Sequence, residues 1–197
     1  MTRIVLATRN QGKVRELRDL LADLKVKVVP VSEFPGCPEV EETGETFEEN
    51  ALLKARAVAA FTGELALADD SGLEVDALGG RPGVRSARFA GPEASDEENN
   101  RKLLELLREV PAEGRTARFR SVVAIASPSG RAATAEGFCE GLIGFEPRGQ
   151  GGFGYDPLFI VPDGSTFAEL DERTKNRISH RGLAFRNAKA RLAEFLK

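Results

Sequence analysis

Ile4-Val5-Leu6-Ala7-Thr8-Arg9-Asn10-Gln11-Gly12-Lys13 runs from an apolar segment through a polar loop into a helical pattern. Val14, Leu17, Leu20, Leu21 and Leu24 recur at helical spacing and define one apolar face. Val26–Val31, mostly β-branched, then reads as a second strand. Strand, helix and strand in that order are the unit from which an α/β sheet is built.

The rest of the chain extends this pattern. Ser32 to Glu45, with Pro35, Gly36, Pro38 and Gly44, reads as a loop. Thr46 and Glu49 form a capping box ahead of a helix over Phe47–Phe61, with Leu53, Ala57 and Phe61 as its apolar stripe. Leu65–Ala68 is a buried-type strand that runs into Asp69-Asp70-Ser71-Gly72, and Gly79-Gly80-Arg81-Pro82-Gly83 is an irregular turn. Ser95 and Glu98 open a further helix carrying Leu103, Leu104, Leu106, Leu107 and Val110, which Pro111 to Gly114 ends. Arg115–Ala126 alternates apolar and polar residues, and Ser127-Pro128-Ser129-Gly130 lets Arg131–Glu140 return as a hairpin arm. Leu158–Val161 is another apolar run, Thr166 and Glu169 cap a third helix, and Ser179 opens a last one with Leu183, Ala188, Leu192 and Phe195. There is no internal repeat and no linker, so one domain over 1–197 and an α/β fold with a mixed sheet are predicted.

Composition sets the outer limits. The 197 residues are 41% hydrophobic and 30% charged, enough for one packed core. Collagenous and disordered classes are excluded. No apolar run approaches the ~20 residues of a membrane span. Cys37 and Cys139 match neither a disulfide framework nor a zinc spacing. The strand-like run starts at Arg3 and leaves no room for a targeting segment, so a reducing cytosol is expected. A net charge of −3 argues against a general nucleic-acid coat. The charges are nevertheless segregated. Glu39 to Glu49 holds six carboxylates and no base; Arg173 to Ala193 holds seven bases, His180 and no acid. Two solvated faces explain that pattern, and so does a site that takes both a divalent cation and a polyanion.

Five segments carry candidate chemistry. Thr8 to Lys13 precedes a helix N-terminus, where unpaired N–H groups and a lysine favour an anion, although the P-loop spacing is absent and plain loop chemistry also fits. Glu41-Glu42-Thr43-Gly44 and Asp69-Asp70-Ser71-Gly72 supply carboxylates of the kind that hold Mg²⁺ and deprotonate water; the two aspartates read equally as caps of a turn. In Gly151-Gly152-Phe153-Gly154-Tyr155-Asp156-Pro157, glycines permit close backbone approach, Phe153 or Tyr155 can stack on a base, and Asp156 can accept from a base edge. A buried Tyr155 with a satisfied hydroxyl is the competing reading. Ser179-His180-Arg181-Gly182 with Lys175 upstream offers donors for carbonyl oxygens of a base, and no nucleophile elbow accompanies the single histidine.

Taken together, T-x-N-x-G-K, E-E-T-G, A-D-D-S-G, G-G-F-G-Y-D-P and K-N-x-I-S-H-R-G, in this order from Ile4 to about Gly182, resemble the inosine/xanthosine triphosphate pyrophosphatase family. The resemblance implies Mg²⁺-dependent hydrolysis of ITP, dITP or XTP to the monophosphate and pyrophosphate. It also implies a homodimer, and a long mixed β-sheet flanked by helices, in two lobes with the active-site cleft between them. Carried over by position, Thr8, Arg9, Asn10, Gln11, Gly12 and Lys13 hold the triphosphate. Glu42 and Asp70 ligate the metal, Asp70 also serves as base, and Ser71 contacts substrate. Phe153, Gly154, Tyr155, Asp156, Lys175, His180 and Arg181 form the base pocket, and Glu41 and Asp69 are supporting or occasional ligands. Many bacterial relatives have glycine where this chain has Arg9. If that position requires φ > 0, Arg9 is strained; otherwise it adds a phosphate contact. A pyrophosphatase for modified pyrimidine nucleotides and a non-catalytic nucleotide-binding regulator are the rival readings.

Overall fold

The opening strand–helix–strand segment forms β1 (Thr2–Leu6), α1 (Gln11–Leu21) and β2 (Val26–Pro30). β1 and β2 are parallel, with Thr2 opposite Val26 and Leu6 opposite Pro30. The computed structural model describes residues 2–9, 11–22 and 24–196, and the Leu20 side chain of the expected stripe lies outside that description. The remaining elements are α2 (Phe47–Thr62), β3 (Leu65–Val75), α3 (Asp96–Leu106), β4 (Thr116–Ala126), β5 (Ala132–Ile143), β6 (Phe159–Ile160), α4 (Glu172–Ile178) and α5 (His180–Phe195).

Six strands make one sheet in the order β2-β1-β3-β4-β5-β6. β1 also pairs parallel with β3, Ile4 opposite Leu65, whereas β5 and β6 are antiparallel, Leu142 opposite Ile160. The sheet is therefore mixed, as the sequence predicts. β4 and β5 are neighbours joined by a turn in which the Ser127 N–H donates to the Arg131 carbonyl. So short a connection permits only the antiparallel hairpin.

The chain divides into two compact units, one of Met1–Asp70, Ser121–Gly137 and Arg181–Lys197, the other of Ser71–Arg120 and Phe138–His180. In the first, Ile4 and Leu6 of β1, Leu65 and Leu67 of β3, and Val123 and Ile125 of β4 share a core with Val14, Leu17 and Leu21 of α1 and Ala184, Phe185, Ala188 and Leu192 of α5. Side chains alternate along a strand, so the odd-numbered residues at the start of β3 face α1 and α5, and Ala66, Ala68 and Asp70 face the other way.

α2 packs against β1 and buries Phe47, Asn50, Ala51, Ala55, Val58 and Ala59. This corrects the stripe read from the sequence: Leu53 and Phe61 are 41% and 47% exposed. The buried face is built largely of alanines, so weighting by side-chain size points to the wrong side of the helix. The capping box is present, with the Glu49 N–H donating to Thr46 Oγ1 at 3.1 Å.

The second unit has its own core of Leu73 and Val75 from β3, Ala117 and Phe119 from β4, Ile143, Phe159, Phe167, Leu103 from α3 and Leu107 at its C-cap. Phe119 lies 4.7 Å from Phe159 and 5.7 Å from Phe167 between ring centroids. Two local expectations are revised. β3 does not stop at Ala68 but continues through Asp69-Asp70-Ser71-Gly72 to Val75, because Leu73 and Val75 supply further apolar surface to bury. The Thr166–Glu169 box closes only one 3-10 turn, Phe167–Glu169, and α4 starts afresh with Asp171 as its cap. Cys37 and Cys139 are free thiols, and no described helix is long and apolar enough to cross a membrane.

Candidate active site

Adjacent aspartates on β3 meet opposite surroundings because the strand sends them to opposite faces. Asp69 points toward α1 and α5. Its Oδ2 accepts from Lys13 Nζ at 2.9 Å and from Arg181 Nε at 3.3 Å, and both Asp69 and Arg181 are buried. Burial raises its carboxyl, but Lys13, Arg181 and Lys54 outweigh that and hold it well below the usual carboxylate range.

Asp70 points toward α2. Lys54 Nζ lies 3.7 Å from Asp70 Oδ1 and 2.6 Å from Glu42 Oε1, and it donates to the Asp69 carbonyl at 2.7 Å. Two carboxylates distant in sequence, Glu42 from a loop and Asp70 from β3, thus share one ammonium group. Burial pushes the Asp70 carboxyl up to about 6; Lys54 opposes the shift and Glu42 adds to it. Burial draws the Lys54 ammonium down, yet Asp69, Asp70 and Glu42 leave it raised. The Asp-Asp pair therefore comprises one fixed anion and one acid poised near neutrality, the kind of separation that marks functional carboxylates.

Asn50, one turn before Lys54, accepts the Gly44 N–H on Oδ1 at 2.7 Å. A Cβ at Gly44 would come within 2.7 Å of Asn50 Oδ1 and of the Glu49 Cβ, so only glycine lets the Glu41–Gly44 segment lie this close to α2. Neither Lys54 nor Asn50 emerges from reading the sequence by motif. Their signal is a polar pair four residues apart inside the alanine stripe of α2, which the misassigned face conceals. Glu41 is exposed.

In the first loop, Thr8 is half-buried and Arg9 exposed, with Arg9 Nη2 donating to the Cys37 carbonyl at 2.9 Å. No described non-glycine residue has positive φ, so arginine at this position carries no left-handed strain. Asn10, the Gln11 side chain and the surroundings of Gly12 lie outside the described residues.

The second unit gathers a different group. Buried Asp156 accepts from Lys175 Nζ at 2.6 Å and from the Phe153 N–H at 2.9 Å. Phe153 is 48% exposed, with the Lys175 ammonium 5.0 Å from its ring centroid. Tyr155 is in the core and donates its hydroxyl to the Ser86 carbonyl at 2.7 Å. Of the two rings offered for stacking, Phe153 is the accessible one. His180 is buried with its ring stacked on Phe119, centroids 4.7 Å apart. Ser71 is half-buried.

Gly152 has φ +73° and faces the Asp156 carboxylate so closely that a Cβ would fall on Oδ2. Gly152→Ala is expected to destabilise the protein by about 1–3 kcal/mol through the left-handed backbone and the displaced carboxylate. Urea midpoints at constant m-value measure the loss.

Residues 4–191 match the Ham1 family. The dITP/XTP pyrophosphatase of Desulforamulus reducens is 63% identical over 187 residues, 94% of this chain and 93% of that protein. The dITP/XTP pyrophosphatase of Geobacter sulfurreducens is 57% identical over 185 residues, 93% of each. Among solved structures, a HAM1 protein from Coxiella burnetii is similar at a TM-score of 0.91 and 47% identity, covering 98% of this chain and 100% of that one. The Staphylococcus aureus Ham1 protein gives 0.89 and 42%, covering 98% and 99%.

Proposed function

The chain belongs to the Ham1 family, and on that footing we propose that it hydrolyses non-standard purine nucleoside triphosphates, dITP, ITP and XTP, to the monophosphate and pyrophosphate. The observation that carries the reading is Asp70, a buried carboxyl raised to about 6 beside Glu42 and Lys54. A base for water needs such a group, since a pKa near the working pH balances availability against driving force.

Glu42 and Asp70 suit Mg²⁺. Both offer hard oxygen donors, a cationic nitrogen already sits against both, and this ion takes one or two protein carboxylates with water and substrate oxygens completing the set. When bound, the ion supplies charge neutralisation at the triphosphate and polarisation of the scissile phosphoryl group.

The protein's own residues do the rest. Lys13 and Lys54, with the N-terminus of α1, offset the negative oxygens of a triphosphate held by Thr8 to Lys13. Asp70 takes a proton from the attacking water, and Ser71 contacts substrate. Asp69 keeps Lys13 and Arg181 oriented. Phe153 stacks on the base, and Asp156, Lys175, His180 and Arg181 read its edge, with Gly154 and Tyr155 shaping that wall. A 6-oxo base meets donors there, whereas a 6-amino base opposes donor to donor. We take residues 1–197 to work as one catalytic domain, as a homodimer in the cytoplasm.

Chromatography of products from dITP with and without Mg²⁺ tests this. Deoxyinosine monophosphate plus pyrophosphate, formed only with the ion, is the expected result; diphosphate plus phosphate places attack on another phosphorus. Equal turnover of ATP and ITP defeats the base-selection account. Turnover confined to modified pyrimidine triphosphates favours the pyrimidine enzyme, and no turnover at all favours a regulator.

A further inference from the structure

The segment that presents Phe153 is held from outside by one helix. Asp96 Oδ2 accepts the Gly154 N–H at 2.7 Å, and Asn100 Nδ2 donates to the Gly154 carbonyl at 3.0 Å. The two side chains are four residues apart on α3, hence on one face. They grip the peptide groups on either side of Gly154, whose φ of +61° makes it the point where this segment would otherwise swivel. On the near side the Phe153 N–H is tied to Asp156, and on the far side the Tyr155 hydroxyl is tied to Ser86. The backbone carrying the exposed ring is thus fixed at every step from 153 to 155.

Asn100 carries a second sign of a role beyond stability. The residue is 8% exposed and its Oδ1 has no partner among the described residues. A buried acceptor left unmet destabilises a fold, so a purely structural position would favour an apolar side chain of similar size. Asn99 beside it has both ends of its amide engaged, accepting from the Ala90 N–H and donating to the Ala87 carbonyl.

We propose that Asp96 and Asn100 are positioning residues that hold Gly154, and through it the Phe153 ring, in the orientation that stacks on the substrate base. The inference rests on the nucleotide reading above. Preorganising the ring removes the ordering cost from binding, so the effect falls on KM and leaves kcat largely alone.

The test uses the full chain with dITP, once the wild type is shown to turn it over; absence of wild-type turnover overturns the nucleotide reading itself. Asn100→Leu removes the grip and the unmet acceptor together. It is expected to raise KM about tenfold with kcat within about threefold and only a small loss of thermal stability, since Gly154, whose carbonyl it uncovers, is half-buried. Asp96→Ala should do the same, and Asp96→Asn, which keeps an acceptor for the Gly154 N–H, should restore KM. On a Phe153→Ala background, Asn100→Leu should change KM less than about twofold, because its target ring is gone. An unchanged KM in Asn100→Leu, a fall confined to kcat, or the same KM rise without the Phe153 ring overturns the proposal. Asn100→Leu keeps the test decisive if Asp96→Ala weakens the start of α3.

Discussion

Asp70→Asn is expected to lower turnover of dITP by about 10²–10⁴-fold while the protein stays folded. The amide keeps the size of the carboxyl and one acceptor oxygen, so Lys54 still has a partner in that direction. It cannot take a proton from water. Stability should hold for a reason visible in the surroundings: burial has already raised this carboxyl to about 6, so an ionised Asp70 is held against its preference, and a neutral isostere relieves that. Steady-state kinetics with matched circular-dichroism melts separates the two effects. Turnover within tenfold of wild type would remove Asp70 from the chemistry.

The reverse pattern belongs to its neighbour. Asp69→Ala strips the shared acceptor from Lys13 and from the buried Arg181 guanidinium. Removing one partner of a buried ion pair typically costs about 3–5 kcal/mol, because the remaining charge is left without solvent or counter-charge. For a chain of this length each kcal/mol lowers Tm by about 2–4 °C, so a fall on the order of 10 °C is expected. Asp69→Asn, which still accepts one hydrogen bond, should lose less. Calorimetry of the two variants reads this directly. A Tm for Asp69→Ala within about 2 °C of wild type would show that Lys13 and Arg181 do not depend on it.

Much of this architecture is legible from local rules. The first strand–helix–strand unit, the two capping boxes at Thr46 and Ser95 and the hairpin at Ser127–Gly130 all follow from short-range patterns, and each forms. Local rules fail where a tertiary demand is stronger. Asp69-Asp70-Ser71-Gly72 has every mark of a turn by composition, yet it is strand, since ion pairs from α1, α2 and α5 compensate charges that composition alone treats as solvent-seeking. Phe153 and Tyr155 look equivalent as stacking rings in the sequence, and only the Ser86 carbonyl and the aromatic core distinguish them.

Lys54 and Asn50 were illegible for a related reason. A motif search asks for chemistry in loops, and these two sit mid-helix on a face whose burial is set by small residues. The exposed Leu53 and Phe61 draw attention to the opposite side. Lys54 becomes visible only when Glu42 and Asp70 are seen to lean on the same nitrogen.

The alternation of β3 has a bearing on which insertions and deletions this chain tolerates. Dropping one residue from Leu65–Ala68 would leave composition and hydrophobicity almost untouched, yet it would exchange the destinations of the two acids: the anion that tethers Lys13 and Arg181 would turn to α2, and Asp70, now beside Lys54, would turn to α1 and α5. Removing two residues restores the odd–even frame and shifts the pair along the sheet without trading their offices. The chemistry of this strand is written in parity, and a count modulo two guards it more strictly than the identity of any apolar side chain beside it.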